Sequence, residues 1–521
     1  MALNLPSDTR IDVVALQAGT FDVGRAGELL EGIDPRCGPE LDTWLLVHRQ
    51  RVAGLIDAQI RTEVICALSA GDAERAVTLA EVGVRRLVFD EGAHVLLVKS
   101  LIAAGSHDAA CTHVDDTENL FRTELGVDAT PALRSAARRR LADPPYGVSA
   151  RAVAASQLES GRAAIAAGAV DAGLDSLRRA CDDAERSRDE QLVASCLLEL
   201  GSALVHSVRS HDDEGAVLLQ RSANLADHLG DHRVATTAHR ELGYVDALAG
   251  RRPSAASHLE QARRTAAGDS DLLAGVHSVN AFNLTDWGRQ EAGIDEYHEA
   301  VDLARTCANQ RREAWTLGLG AWAHLLAGDA ATADAWSRQC LSLISDLRWV
   351  AFRPWPLAIV GEVQLARGTA PRHQRADLEE AFALSCQLAD PCWEGATART
   401  IALTHAAAGD TERALEWIGQ AQRRCLRETD TFVAMHAAIL ATDSEISLAA
   451  GQHDRAQATT RALISLAAKT HMDAHLSHGL QLLGQLTDIP SAQGGHPASG
   501  DGPEGTRQTS DPLLASRVHG G

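Results

Sequence analysis

The feature that most constrains this chain is a glycine that returns at nearly constant spacing through its second half. Six glycines are separated by 38, 40, 40, 41 and 42 residues: Gly250, Gly288, Gly328, Gly368, Gly409 and Gly451. A repeat of this length is one supersecondary unit, which must stack on its neighbours to bury its apolar face. The spacing therefore predicts an array of helical hairpins, each with its turn at a glycine.

The same period extends toward the N-terminus. Gly168 lies two steps before Gly250, which predicts an intermediate turn near residues 210–213. Gly71 and Gly105 are 34 residues apart, the length of a tetratricopeptide repeat. Apolar residues make up 45% of the chain but aromatic residues only 4%, which favours closely packed helices over strands. We expect an all-α fold, a tetratricopeptide-like helical hairpin solenoid.

Two changes in composition divide the chain. Residues 143–147, with the sequence DPPYG, are unfavourable for a helix, and Gly, Pro, Ser and His dominate from about residue 488. Such a composition cannot bury enough apolar surface to offset the entropy lost on ordering. We expect an N-terminal helical domain at 1–142, a repeat array at 148–485 and a disordered tail at 486–521.

Charge and sorting signals narrow the function. The net charge of −21 comes from 70 acidic and 49 basic residues, and Lys99 and Lys469 are the only lysines. Such a chain is repelled by nucleic-acid phosphates unless a basic patch intervenes, and the best patch, Arg134 with Arg138–Arg140, also fits an ordinary helix C-terminus. Ten scattered cysteines without a CxxC pair, no signal peptide and no membrane-spanning run predict a cytoplasmic protein without a membrane partner.

The most specific motif is ELGVDATPAL, residues 124–133. Gly126 is placed to end one helix and Pro131 to begin the next. The motif resembles the end of the bacterial transcriptional activator domain of SARP-type regulators. The resemblance covers roughly residues 11–140 and includes Trp44 in an early helix. In that family the domain follows a winged-helix DNA-binding domain, and the resemblance implies a role in dimerisation or polymerase contact.

The chain departs from that family in three places. Val114 stands where relatives carry an aromatic residue, and the acidic Asp115, Asp116 and Glu118 stand in a stretch that is often arginine-rich. The resemblance therefore does not extend to DNA or polymerase contact by this helix. The first ten residues resemble the exit from a winged helix whose remainder is missing. A natural truncation and a start codon placed too far downstream both explain this.

No motif predicts catalysis. A GxxxxGK[ST] phosphate loop cannot be drawn around either lysine, and GxSxG, HExxH and a strand–helix GxGxxG are absent from the sequence. Two sets of residues have metal-ligand spacing on a helix: His471, His475 and His478, and His107, Cys111 and His113. A solvated helix face accounts for both sets better than a metal site. We expect no metal, no cofactor and no enzymatic activity.

Tryptophan is concentrated in one part of the array. Five tryptophans fall within 41 residues: Trp315, Trp322, Trp336, Trp349 and Trp355. Aromatic residues on the concave surface of a solenoid hold peptides or apolar ligands, whereas packing between helices is the alternative. Trp315, Trp322 and Trp355 are the candidate ligand or peptide surface.

These expectations combine into a function based on binding. The resemblance implies a transcriptional-regulator component of SARP type whose array recruits a protein partner, such as the transcription machinery, or senses a small-molecule effector. A homodimer is compatible with this interpretation. DNA contact would come from a missing upstream domain or from a partner chain. The alternative is a tetratricopeptide-like protein-interaction scaffold without a direct role in transcription.

Overall fold

The structure, a computed structural model, describes residues 12–17, 19–31, 39–137, 150–208, 210–368, 375–426 and 432–487. In these residues, all the regular secondary structure is helical. These residues form 23 α-helices, and none of them lies in a β-strand. The all-α expectation is confirmed. The fold class is a tetratricopeptide-like helical hairpin solenoid.

The helices follow one another with short connections. Six precede residue 138: α1 (Asp12–Gln17), α2 (Pro39–Ser69), α3 (Ala73–Arg86), α4 (Glu91–Ala103), α5 (His107–Leu120) and α6 (Pro131–Ala136), with a 3-10 turn at Val23–Arg25 and a π-helical turn at Phe121–Leu125. Eight follow: α7 (Ala150–Ala166), α8 (Val170–Ser187), α9 (Glu190–Ser207), α10 (Asp212–Leu229), α11 (His232–Leu248), α12 (Arg252–Thr265), α13 (Ser270–Trp287) and α14 (Gln290–Thr306). The last nine are α15 (Gln310–Leu326), α16 (Ala330–Asp346), α17 (Pro354–Ala366), α18 (Arg375–Gln387), α19 (Pro391–Ala407), α20 (Thr411–Cys425), α21 (Val433–Ala449), α22 (His453–Lys469) and α23 (Asp473–Thr487), with a 3-10 turn at Val350–Phe352.

The periodic glycines form the turns within the hairpins. All six of the series from Gly250 to Gly451 have positive φ, between 69° and 94°, a conformation that glycine adopts without steric cost. The intermediate turn is also confirmed, because α9 ends at Ser207 and α10 begins at Asp212. Ser210 takes the left-handed conformation there, with φ of 64°. The hairpin period therefore continues where the glycine is missing.

The chain divides into two compact units. Unit 1 comprises Met1–Asn309, Cys425–Ala434 and Ser465–Met472, and unit 2 comprises Gln310–Arg424, Met435–Ile464 and Asp473–Gly521. The predicted limits at residues 142 and 148 fall within residues 138–149, which lie outside the described residues. The predicted limit at residue 485 falls inside α23, which ends at Thr487, and residues 488–521 lie outside the described residues. The domain limits stay predictions.

Unit 1 has an aliphatic core shared by early and later helices. Ile56, Ile60 and Val64 of α2 pack in one cluster with Leu97 of α4 and Leu219 of α10. These side chains recur every four residues along α2, so they form one apolar stripe. The residues of the predicted N-terminal domain are thus packed directly on the first hairpins of the array.

Unit 2 has an aromatic core. The indole of Trp355 is 1% exposed, and its Nε1 donates a hydrogen bond of 2.8 Å to the carbonyl oxygen of Gly318. Its ring centroid lies 5.9 Å from that of Trp322 and 5.3 Å from that of Trp393. Phe352, 2% exposed, lies edge-on to Trp393. Trp322 and Trp355 fill the space between helices in this unit.

Candidate ligand-binding cavity

One face of α2 borders a cavity in unit 1. Gly54, Asp57, Ala58 and Arg61 all line it, and their spacing of three, four and seven residues places them on one side of the helix. The cavity has a volume of about 450 Å³. Sites for small molecules in proteins commonly enclose roughly 300–1,000 Å³, so this space suits a small ligand.

Most of the remaining wall is apolar or small. The apolar lining side chains are Leu55, Ile60, Val64, Ala80, Leu87, Phe89, Ala93, Val95, Leu96, Ala249, Pro253, Val433 and Leu466. Phe89, in the connection between α3 and α4, is 52% exposed although it borders the cavity. A ligand with an apolar body would therefore gain from burial along most of its length.

One wall comes from a distant part of the sequence, the end of α22. A Cβ placed on Gly54 would lie 2.1 Å from the carbonyl oxygen of Lys469. A Cβ on Gly250, which has φ of 77°, would lie 2.6 Å from the Cβ of Thr470. Because no larger residue fits at either position, two glycines set how closely Lys469 and Thr470 approach the rest of the cavity.

Arg61 is the centre of a buried ion-pair network beside the cavity. Its Nε lies 2.5 Å from Oδ1 of Asp213, and its Nη1 lies 3.2 Å from Oδ1 of Asp246. Arg251 contacts the same oxygen of Asp246 at 2.8 Å. No acceptor among the described residues is within hydrogen-bond distance of Arg61 Nη2. The network ties α2 to the start of α10 and to the turn between α11 and α12.

These contacts shift the pKa values of the buried groups. Burial on its own raises the pKa of Asp246, but the charges of Arg251 and Arg61 outweigh it and lower the pKa to about 2. Burial likewise opposes the ionised form of Glu214, yet Lys99 at 3.3 Å holds the pKa of that carboxyl at about 2. Both carboxylates are therefore charged at neutral pH, and each depends on its cationic partners.

A second pair stands one helical turn away on α2. Asp57 accepts contacts from Arg86 at 3.2 Å and from Lys469 at 3.0 Å. The two sets of ion pairs beside the cavity join four cations to three carboxylates: Arg61, Arg86, Arg251 and Lys469 with Asp57, Asp213 and Asp246. Three further acidic residues, Asp90, Glu91 and Asp212, line the cavity. The side chain of Lys469 keeps 36% of its surface exposed, whereas that of Asp57 keeps 11%. Lys469 is the most accessible charge of this network.

The resemblance motif reaches the cavity wall through Glu91. The carboxylate of Glu91, 5% exposed, accepts hydrogen bonds from the backbone N–H of Thr130 at 2.9 Å and from its hydroxyl at 2.5 Å. Thr130 also caps α6, which begins at Pro131 as predicted, and Gly126 has φ of 68° as expected for a helix end. The helix–turn–helix reading of ELGVDATPAL is confirmed.

The candidate tryptophans lie in unit 2. Trp322 is 7% exposed and Trp355 is 1% exposed, so both indoles occupy the core, whereas Trp315 is half-buried. Trp315 stacks on Trp349, with ring centroids 6.4 Å apart, and the guanidinium of Arg311 lies 4.1 Å above Trp349. The half-buried pair, rather than the two buried indoles, faces solvent. A ligand surface at Trp315, Trp322 and Trp355 stays a prediction.

The histidine sets are not arranged as expected. Since α23 begins at Asp473, His471 lies before the helix with φ of 55° and does not share a helical face with His475 and His478. His113 instead makes a 3.0 Å contact with the ring of His94. Among the described residues, no group of three or more His, Cys, Asp or Glu side chains is placed to hold a metal ion.

Other groups that the sequence singled out are engaged or inert. Arg134 of the basic patch forms a bidentate pair with Glu118, and the other arginines of that patch lie outside the described residues. Burial raises the pKa of the Cys196 and Cys340 thiols to about 12, so neither is a thiolate at neutral pH. In the part of the chain that the structure describes, no helix is long and apolar enough to cross a membrane.

No motif in the sequence pointed to the cavity residues. Gly54 interrupts the apolar pattern of α2, and Lys469 is one of only two lysines, but neither fact predicts their meeting. They are separated by more than 400 residues, and only the folded chain brings them together. The one local signal was a glycine inside a long helix, which implies a close packing contact without naming its partner.

The comparisons with known proteins concern the fold. No family model matches the chain, and no curated protein matches it. Solved helical-repeat structures do match. A Rap protein complexed with competence and sporulation factor is 12% identical, with 80% of this chain and 99% of that chain covered and a TM-score of 0.36.

Two other solved structures give a similar result. A signal transduction ATPase with a tetratricopeptide repeat sensor from Pyrococcus horikoshii is 15% identical over 66% of this chain and 52% of that chain, with a TM-score of 0.37. Yeast Tom70 is 10% identical over 87% of this chain and 95% of that chain, with a TM-score of 0.33. No functional argument rests on these likenesses.

Proposed function

We propose that this chain is a regulatory protein of SARP type that works by binding, and that the cavity of unit 1 receives a small effector with an apolar body. The observation that supports this is the composition of the cavity wall. Helices α2 and α4, which carry the activator-like resemblance, line the cavity together with residues 210–213, 249–253 and 466–471 of the repeats. An effector there would contact both parts of the chain.

Such an effector would act through the ion pairs that join these parts. Arg61 on α2 holds Asp213 at the start of α10, and Lys469 holds Asp57. In this proposal, α2 and the repeats can take two arrangements, and a ligand that contacts these cations in only one of them shifts the population toward it. The difference between the ligand's affinities for the two arrangements sets the size of the shift. In this proposal the protein is cytoplasmic, and DNA contact belongs to an upstream winged helix or to a partner chain.

The binding step is tested by filling the cavity. Ala93→Leu adds a side chain at the wall near the start of α4, and Ala103→Leu makes the same change at the exposed end of that helix. With octan-1-ol as an apolar probe in isothermal titration calorimetry, wild type and Ala103→Leu should bind and Ala93→Leu should not. Equal binding by all three folded proteins, or binding by none of them, contradicts the proposal.

The link to transcription needs its own test. A mobility-shift assay on this chain and on an in-frame upstream extension, with and without the apolar probe, asks whether either form engages DNA. A shift by the extended form supports the SARP-type reading. No shift by either form contradicts a direct role in transcription and leaves the binding role standing.

A second candidate function is protein interaction at unit 2. It is favoured by Trp315 and Trp349, a half-buried aromatic pair beside Val350, which is 54% exposed. Half-exposed aromatic residues are common anchors in protein interfaces. Trp315→Ala should weaken binding of a protein partner without unfolding the chain, and unchanged affinity in a pull-down with purified partner would reject this surface.

A further inference from the structure

Lys469 pairs with a carboxylate that it shares with a second cation. Its ammonium has three N–H donors, and the carboxylate of Asp57, at 3.0 Å, is also contacted by Arg86. Asp57 thus divides one negative charge between two cations. Because Lys469 lines the cavity and keeps 36% of its side-chain surface exposed, its spare donors are open to a ligand.

The carboxylates of the cavity wall are already engaged. Glu91 accepts from Thr130, and Asp90 caps α4 by accepting from the backbone N–H of Ala93 at 3.0 Å. Asp212 and Asp213 stand in the first turn of α10, where the helix dipole favours negative charge. Asp213 also pairs with Arg61. A cationic ligand would have to displace these partners, whereas an anion would meet Lys469 directly.

Apolar side chains line the same cavity as this ammonium. Leu466 lies one turn before Lys469 on α22, and both residues line the cavity with Val433 and Leu96. A molecule with its charged end at Lys469 would therefore rest its remaining atoms on hydrocarbon. Building on the function proposed above, we propose that the cavity selects a small amphipathic carboxylic acid, with its carboxylate at Lys469 and its apolar body against α4 and α22.

The test is a charge series of equal chain length on the full chain. Octanoate, octan-1-ol and octylammonium are titrated by isothermal calorimetry into wild type, Lys469→Met and Lys99→Met. Lys469→Met keeps the hydrocarbon stem and leaves Asp57 paired with Arg86. Lys99→Met is the matched control, because this second lysine pairs with Glu214 and does not line the cavity.

Wild type should bind octanoate more tightly than the alcohol or the ammonium. Lys469→Met should lose about tenfold in octanoate affinity, the size expected for a lost hydrogen bond to a charged group, and should keep its affinity for octan-1-ol. Lys99→Met should bind all three as wild type does. Equal affinities for octanoate and the alcohol, or tighter binding of octylammonium, overturn the carboxylate preference and leave cavity binding intact. No binding of any probe overturns both proposals.

Discussion

The two units use the same helical hairpins but fill their interiors differently. In unit 1, charged side chains are buried in pairs around Arg61 and Asp246, and a cavity of about 450 Å³ lies beside them. In unit 2, the rings of Trp322, Phe352 and Trp355 fill the corresponding kind of space. The repeat fixes the backbone, and the interior side chains decide whether the space between helices is filled or is left as a cavity.

This difference bears on what a cluster of aromatic residues indicates. Large buried rings gain most where no void is left around them, so a cluster of tryptophans marks good packing at least as often as a ligand surface. Buried ion pairs carry a desolvation penalty and stabilise weakly for their number. They occur in both units, as the pair of Arg399 with Glu362 in unit 2 shows, and those around Arg61 border the cavity of unit 1. Variants in each unit test the two interiors separately.

The largest loss should come from the core of unit 2. Trp355→Ala removes an indole that is 1% exposed and donates to the carbonyl oxygen of Gly318, and we expect a loss of about 3–5 kcal/mol in the free energy of unfolding. Urea denaturation followed by circular dichroism measures it. Trp44→Ala, at a site 46% exposed, should cost less than about 1 kcal/mol. Equal losses for the two variants would remove the aromatic core from this account.

The next largest loss should come from the ion-pair network of unit 1. Arg61→Met leaves Asp213 and Asp246 without their shared cation, and removing one partner of a buried pair costs about 3 kcal/mol or more. Arg75→Met breaks an exposed pair with Glu63 and should cost less than about 1 kcal/mol. Urea midpoints at pH 7 compare them. Similar midpoints would show that the Arg61 network carries little stability.

Acid should weaken unit 1 through Asp246. The pKa of this carboxyl in the folded chain is about 2, below its usual value of 3.8, so its stabilisation is complete above about pH 4 and is lost as the pH falls through 2. The shift corresponds to about 2 kcal/mol. The stability difference between wild type and Asp246→Asn should therefore shrink from pH 5 to pH 2. For Asp175→Asn, an exposed acid, it should stay small throughout. A constant difference for Asp246→Asn contradicts the network.

A smaller loss in the free energy of unfolding should follow when a single methyl group is added at the cavity wall. Gly54→Ala places its Cβ against the carbonyl oxygen of Lys469, and overpacking of this kind costs about 1–3 kcal/mol. Gly484→Ala, in α23, meets no atom within 4 Å and should gain about 0.5–1 kcal/mol from helix propensity. Thermal unfolding distinguishes the signs. A gain at Gly54 would mean that the end of α22 does not pack on α2.

The sequence predicts the hairpin turns because their cause is local. A residue with positive φ is needed within each hairpin, and glycine supplies it at Gly250 and its repeats. Glycine marks only some of the turns between hairpins, such as those at Gly230 and Gly268. At equivalent points the chain places Arg188, Ala308, Arg348, Ala389 and His471 in the left-handed conformation, each with φ between 52° and 57°. These residue types do not predict a positive φ, and we infer that tertiary packing imposes it.

The sequence does not predict the cavity, for a different reason. Its apolar side chains look like ordinary core residues in their own helices, and its charges look like surface residues. Asp57 and Arg61 are one turn apart on α2, which a helical pattern reveals, but Lys469 and Asp213 reach them only through the stacking of distant hairpins. At residues 124–133, Gly126 and Pro131 predicted the turn between two helices, and the family resemblance gave no information on the cavity.

The central claim is that ligand binding belongs to unit 1 and not to the tryptophan cluster of unit 2. Hydrogen–deuterium exchange with and without saturating octanoate compares both regions in one experiment. If octanoate binds in the cavity of unit 1, hydrogen exchange should be slower at residues 54–61, 92–96 and 466–471 and unchanged at residues 311–355. Slower exchange at residues 311–355, with residues 54–61 unaffected, would contradict it.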